Sequence, residues 1–142
     1  MLEEGIFDIH CHIVPGVDDG AADIEETRKL LEMEYKQGVR NIILTPHFRF
    51  RMFETPLEKV QRQFRLAEEA AADISKDLHL YLGCEFHANM EMLPMLREKK
   101  VSTMAGSRYV LVEFFSQFRG ILYQRTPVGN AFRRVQTHCC TY

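Results

Sequence analysis

The chain has 142 residues, room for one domain with a real core but small for a complete enzyme barrel. Its 46% hydrophobic and 27% charged residues are ordinary for a soluble globular protein, and a net charge of −2 gives no electrostatic reason to expect nucleic-acid or membrane-surface binding. No apolar run approaches the roughly 20 residues of a membrane span. The acidic start Met1-Leu2-Glu3-Glu4 lacks a signal-peptide pattern, so a cytoplasmic protein is expected.

Gly5 to Ile9 reads as a first strand, followed by the turn-rich loop Pro15-Gly16-Val17-Asp18-Asp19-Gly20. Asp23 with Glu26 three residues on forms a capping-box pattern, and a helix is expected to about Gln37 with Gly38 as its stop. Val39 to Thr45 is a β-branched and aliphatic run halted by Pro46, hence a second strand. Thr55-Pro56-Leu57-Glu58 predicts a helix start with Thr55 as N-cap, continuing to about Ser75. Leu78 to Gly83 is a third strand, Met90 to Lys99 a shorter helix, and Tyr109 to Glu113 a fourth strand. This βαβαβαβ order argues for α/β architecture with a parallel sheet or barrel.

The pattern fades after about Ser116. From Phe118 to Tyr142 there are four arginines and no acid, with neither helical nor strand periodicity. The reading is a partial domain over 1–117 and a divergent tail over 118–142, non-native to the domain or disordered. A basic nucleic-acid-binding arm is the weaker alternative.

Chemistry concentrates at the ends of the expected strands. His10 and His12 are two apart on an extended segment, so both imidazoles face one side while Cys11 faces the other. Asp18 and Asp19 follow in the glycine-closed turn, His47 comes directly after the second strand, Glu85 ends the third and Glu113 closes the fourth. One polar residue closing an apolar strand marks only where the chain meets solvent. Four strands in a row fit a shared site at the C-terminal edge, where α/β active sites assemble. Imidazole and carboxylate donors suit manganese, iron or zinc, and several carboxylates able to bridge ions suggest two or three of them. The cysteines Cys11, Cys84, Cys139 and Cys140 form no C-x-x-C pair and none begins a C-x5-R, so thiols and no cysteine nucleophile are expected.

The stretch Asp8-Ile9-His10-Cys11-His12-Ile13-Val14-Pro15-Gly16-Val17-Asp18-Asp19-Gly20 resembles the opening motif of the polymerase-and-histidinol-phosphatase (PHP) superfamily. Within it, the chain is most similar to the tyrosine-protein phosphatases of bacterial capsule and exopolysaccharide synthesis. Gln37-Gly38-Val39-Arg40, Met52-Phe53-Glu54-Thr55-Pro56 and Ser107-Arg108-Tyr109 carry further likeness, in order, from about Phe7 to Glu113. The resemblance implies the N-terminal part of a distorted (β/α)7 barrel, truncated here, with a trinuclear and usually manganese-supported site. His10, His12 and Glu85 would hold one ion, Glu85 and Glu113 would share a second, and Asp19 and His47 would serve the third. Asp18 competes with Asp19 for that place. The implied activity is phosphotyrosine hydrolysis by metal-activated water, without a phosphoenzyme. The implied substrate is a phosphotyrosine protein, the cognate capsule tyrosine kinase foremost.

The family's later His-x-Glu-Arg and Asp-x-His motifs are not found in this chain; His138 falls near the first but lacks its neighbours. Impaired activity, an inactive metal-binding fragment and self-association through open strand edges are therefore also expected. A histidinol phosphatase or another phosphoesterase of the superfamily is the remaining alternative. Arg49 and Arg51 could contact a phosphate dianion or simply line a solvated loop. His79 is expected to pack or face water, and His87 to face the site only by its spacing from Glu85. Met90, Met92 and Met95 read as helix packing.

Overall fold

A computed structural model describes residues 5–114; the stretch 118–142, with His138, lies outside them. The described residues form a mixed α/β unit of six strands and three helices: β1 (Ile6–Cys11), α1 (Ile24–Lys36), β2 (Val39–Leu44), β3 (His47–Phe48), α2 (Leu57–Ile74), β4 (His79–Leu82), β5 (Glu85–His87), α3 (Met92–Arg97) and β6 (Leu111–Glu113). Every strand pairing is parallel, as the alternating order predicts. The strands fall into two three-stranded sheets, β1-β2-β4 and β3-β5-β6.

Six strands, where four were expected, come from breaks in the second and third. Pro46 and the Gly83-Cys84 pair interrupt them, so β2 passes into β3 and β4 into β5 after two residues. The register survives the break: Asn41 pairs with His79 and His47 with Glu85, both 38 residues apart. Backbone bonds bridge the gap, from Gly83 N–H to Leu44 O at 2.8 Å and from Glu85 N–H to Pro46 O at 3.0 Å. The two sheets are thus one strand pair bent at a seam. Proline, which has no N–H to give a ladder, sits where the bend needs none.

Both long helices lie over the first sheet's side of the chain. Asp23 caps α1 as expected, accepting from Glu26 N–H at 2.9 Å, while Glu26 Oε2 reaches back to Ala22 N–H at 2.8 Å. Thr55 does not cap α2: Pro56 holds that position, and the Thr55 hydroxyl instead donates to Val17 O at 2.8 Å, tying α2 to the loop after β1. The third helix is shorter than expected, six residues in place of about ten. The main core joins Ile13, Val14 and Val17 of the first loop to Leu31, Ile42, Leu44, Val60 and Ala67. A smaller one joins Phe48, Cys84, Phe86 and Val101. On β1, Ile6, Phe7 and Ile9 remain half or more exposed. Among the described residues no helix is long and apolar enough to cross a membrane.

Candidate metal centre

The seam between the sheets gathers the polar residues singled out above. β1 runs further than expected, to Cys11, and so carries His10 within it and His12 just beyond. His47 and Glu85 do not end strands; each opens one, β3 and β5, as register partners on the far side of the seam. From there the side chains of Glu85 and His47 reach His10 and His12.

The result is three imidazoles around one carboxylate oxygen. Glu85 Oε2 lies 3.0 Å from His10 Nε2, 3.1 Å from His12 Nε2 and 3.3 Å from His47 Nδ1. The His10 and His12 Nε2 atoms are 3.4 Å apart, and the His12 and His47 ring centroids 4.3 Å apart. Glu85 is buried at 5% exposure. His47 Nδ1 is buried as well and, despite its approach to Glu85, makes no hydrogen bond among the described residues. A buried ring nitrogen left without a hydrogen bond is costly. Aimed at a carboxylate among imidazoles, it belongs to a cluster whose donor types suit divalent cations.

Among the described residues two compact sets of donors emerge: His10, His12 and Glu85, and His12, Asp19 and His47, each with its ligand atoms within 4.8 Å of one another. Asp19 is exposed and lies 3.7 Å from His47 Nε2. Asp18 is different, its side chain fully enclosed, with Oδ2 accepting from His12 Nδ1 at 2.9 Å and from His47 N–H at 2.8 Å, and Oδ1 from Gly20 N–H at 3.0 Å. Gly20 is needed there, since a Cβ would meet His12 O at 2.1 Å. Glu113 belongs to neither set. It faces His87, Nδ1 to Oε2 at 3.2 Å, so that His87 is a buried partner of a candidate ligand.

Charge follows from these contacts. Burial pushes the Glu85 carboxyl up, but hydrogen bonds from His10 and then His12 outweigh it and bring it down to about 2. Burial likewise pulls His12 down, and hydrogen bonds to Asp18 and Glu85 reverse it, holding the imidazolium up to about 9. Asp18 stays ionised below the usual carboxylate range because His12 and the His47 and Gly20 amides overcome its burial. A proton on His12 therefore does the job of a cation, and a metal ion would displace it. Burial pushes Cys84 up to about 12 and Cys11 higher still, so both are inert thiols, with Cys11 turned to Ile43 O on the core side.

The arginines sit on a tight hairpin after β3, closed by Arg49 N–H to Phe53 O at 2.9 Å. Phe53 stacks on His47, centroids 5.6 Å apart, which anchors the hairpin beside the site. Arg51 is exposed, its guanidinium over the Phe50 ring. His79 is exposed at the start of β4, away from the cluster.

The capsular polysaccharide synthesis model CpsB/CapC matches residues 6–130, most of the chain and on into the stretch read above as divergent. The chain belongs to the CpsB/CapC family. Tyrosine-protein phosphatase CpsB of Streptococcus pneumoniae is 43% identical over 109 residues, covering 77% of this chain and 45% of the relative. Tyrosine-protein phosphatase YwqE of Bacillus subtilis is 30% identical over 116 residues, covering 43% of the relative. In three dimensions the chain matches a solved structure from work on YwqE and CpsB, described as metal-dependent tyrosine phosphatases. The TM-score is 0.71 at 28% identity, over 78% of this chain and 44% of that one. The chain thus spans a little under half the length of the CpsB/CapC relatives it matches.

Proposed function

We propose that this chain carries the first part of the metal centre of a metal-dependent protein-tyrosine phosphatase that acts in the control of capsular polysaccharide synthesis. The observation that carries the reading is the convergence of His10, His12 and His47 on one buried oxygen of Glu85, with His47 Nδ1 left without a hydrogen bond. His10, His12 and Glu85 would hold one ion and Asp19 with His47 another, with Glu113 serving beside Glu85 and manganese preferred over iron or zinc. When bound, such ions supply a water activated for attack on phosphorus and offset phosphate charge. Arg49 and Arg51, on the hairpin anchored by Phe53, would meet the phosphate dianion. The substrate would be a phosphotyrosine protein in the cytoplasm, foremost the capsule tyrosine kinase. The described strands would form part of a (β/α)7 barrel, which the exposed Ile6, Phe7 and Ile9 of β1 support.

A second reading is a chain that holds a cation without turning over substrate. It is favoured by Glu113, which here faces His87 and stands apart from both donor sets. Hydrolysis of a phosphotyrosine peptide with added manganese, beside a Glu85→Ala control, separates the two. Turnover lost in the control supports the phosphatase. Cation binding without turnover in a folded chain supports the second reading.

A further inference from the structure

Two adjacent carboxylates, Asp18 and Asp19, stand beside the candidate centre, and they do different things. Asp18 has no exposed side-chain surface and both its oxygens are committed to N–H donors of this chain, while Asp19 is exposed and holds its carboxylate toward His47 Nε2. An imidazole has two nitrogens, and a hydrogen bond at one decides which is left for a cation. With His12 Nδ1 donating to Asp18, only Nε2 remains, and that atom lies 3.1 Å from Glu85 Oε2 and 3.4 Å from His10 Nε2. Yet His12 is common to both donor sets. One free nitrogen cannot serve two ions.

We propose, building on the metal-centre reading above, that Asp18 is a positioning residue and not a ligand. It commits His12 through Nε2 to the His10–Glu85 set and leaves Asp19 and His47 to hold a separate ion. The same oxygen that fixes His12 accepts the backbone N–H of His47, so one buried carboxylate sets the spacing between the two sets. No amide can replace it. In Asp18→Asn the side chain would have one acceptor oxygen where the carboxylate has two. In either orientation its NH2 would face an N–H of Gly20 or those of His12 and His47.

The test uses zinc as a diamagnetic probe on the full chain. Nitrogen-15 NMR of the zinc-loaded wild type is expected to show His12 bound through Nε2 with a proton on Nδ1; binding through Nδ1 overturns the proposal without any mutation. Calorimetric zinc titrations then compare Asp18→Asn with Asp19→Asn, the fold of each checked by circular dichroism. Asp18→Asn is expected to weaken both ions by roughly 10–100-fold, as loss of an outer partner does. Asp19→Asn should remove one ion and leave the other at wild-type affinity. The reverse pattern, one ion lost in Asp18→Asn and none in Asp19→Asn, makes Asp18 a ligand and overturns the proposal, as does indifference to Asp18→Asn. A wild type that takes no zinc overturns the metal-centre reading itself, and the proposal with it.

Discussion

The two sheets divide the labour unequally. The first, β1-β2-β4, has strands of six, six and four residues, with both long helices contributing to its core of twelve buried residues. Among the described residues the second, β3-β5-β6, has strands of two, three and three residues and four buried core residues, with partly buried Met92, Met95 and Leu96 packed against them. Apolar burial sets most of the stability, so the first region holds the fold. Yet the candidate centre draws from both: His10 and His12 come from the strong side, His47 and Glu85 from the weak one. A site on such a seam is sensitive to whatever loosens the smaller sheet, even when the larger is intact.

Glu85→Ala should produce the largest effect, because it removes the one atom on which all three imidazoles converge. Manganese or zinc affinity is expected to fall by more than about 100-fold, beyond the roughly 10–100-fold that outer partners supply. Calorimetry reads this directly, and near-wild-type affinity would mean that the histidines bind without a shared carboxylate.

Phe86→Ala comes next and bears most directly on the contrast. Phe86 is fully buried between Glu85 and His87, stacked on Phe48 at 5.2 Å. Truncation should cost about 3–5 kcal/mol, and Leu31→Ala in the larger core about 2–5 kcal/mol. The two differ in consequence. Phe86→Ala is expected to weaken cation binding as well, whereas Leu31→Ala should leave affinity unchanged in the fraction still folded. Thermal melts with parallel metal titrations test this, and equal losses of affinity would erase the distinction between the regions.

Acidity gives a smaller effect with a definite sign. His12 is held up at about 9 against an ordinary 6.5, so its contribution to the metal-free fold is complete below 6.5 and lost as pH rises through about 9. Glu85 is brought down to about 2 from 4.5, so its contribution is complete above 4.5 and lost as pH falls through about 2. From these two groups the metal-free chain is most stable between about pH 4.5 and 6.5. Cation affinity should run the other way, rising from pH 6.5 toward 9 as the His12 proton ceases to compete, with proton release seen as a buffer-dependent binding enthalpy. A metal-free melting temperature that climbs from pH 6.5 to 9 would contradict the His12 environment described.

The sequence makes the centre more legible than the sheet that presents it. His10 and His12 follow from a two-residue period, and Glu85 and His47 from their place after apolar runs. The parallel order follows from alternating patterns, and the Asp23–Glu26 cap from a local rule that the structure keeps. What escaped is set by distant contacts. Nothing near Pro46 or Gly83 says that the strand resumes in the same register, because pairing between residues 38 apart carries the chain across the break. Thr55 has the residue type of a cap, but a carbonyl at Val17 takes its hydroxyl instead. The difference in enclosure between Asp18 and Asp19 is likewise something that two identical neighbours in a sequence cannot reveal. His87 had a signal, two residues from Glu85 on a strand, but its partner Glu113 lies on another strand.

The smallest expected effect lies farthest from the seam. Asp23 accepts the Glu26 N–H at the start of α1, on the surface of the stronger region. Asp23→Ala should cost about 1 kcal/mol, the usual loss for a capping side chain, and lower the melting temperature by a few degrees. Cation affinity should not change, because Thr27, one turn on, still donates to Ile13 O at 2.9 Å and holds the loop after β1 to the helix. Thr27 is fully buried, and Thr27→Val would leave that carbonyl without its hydroxyl partner, a change of similar size at a place that touches the loop bearing Asp18. If the strong region buffers the site, only Thr27→Val shifts cation affinity. If Asp23→Ala shifts it equally, the helix start and the centre are coupled, and the separation between the two regions is weaker than their cores suggest.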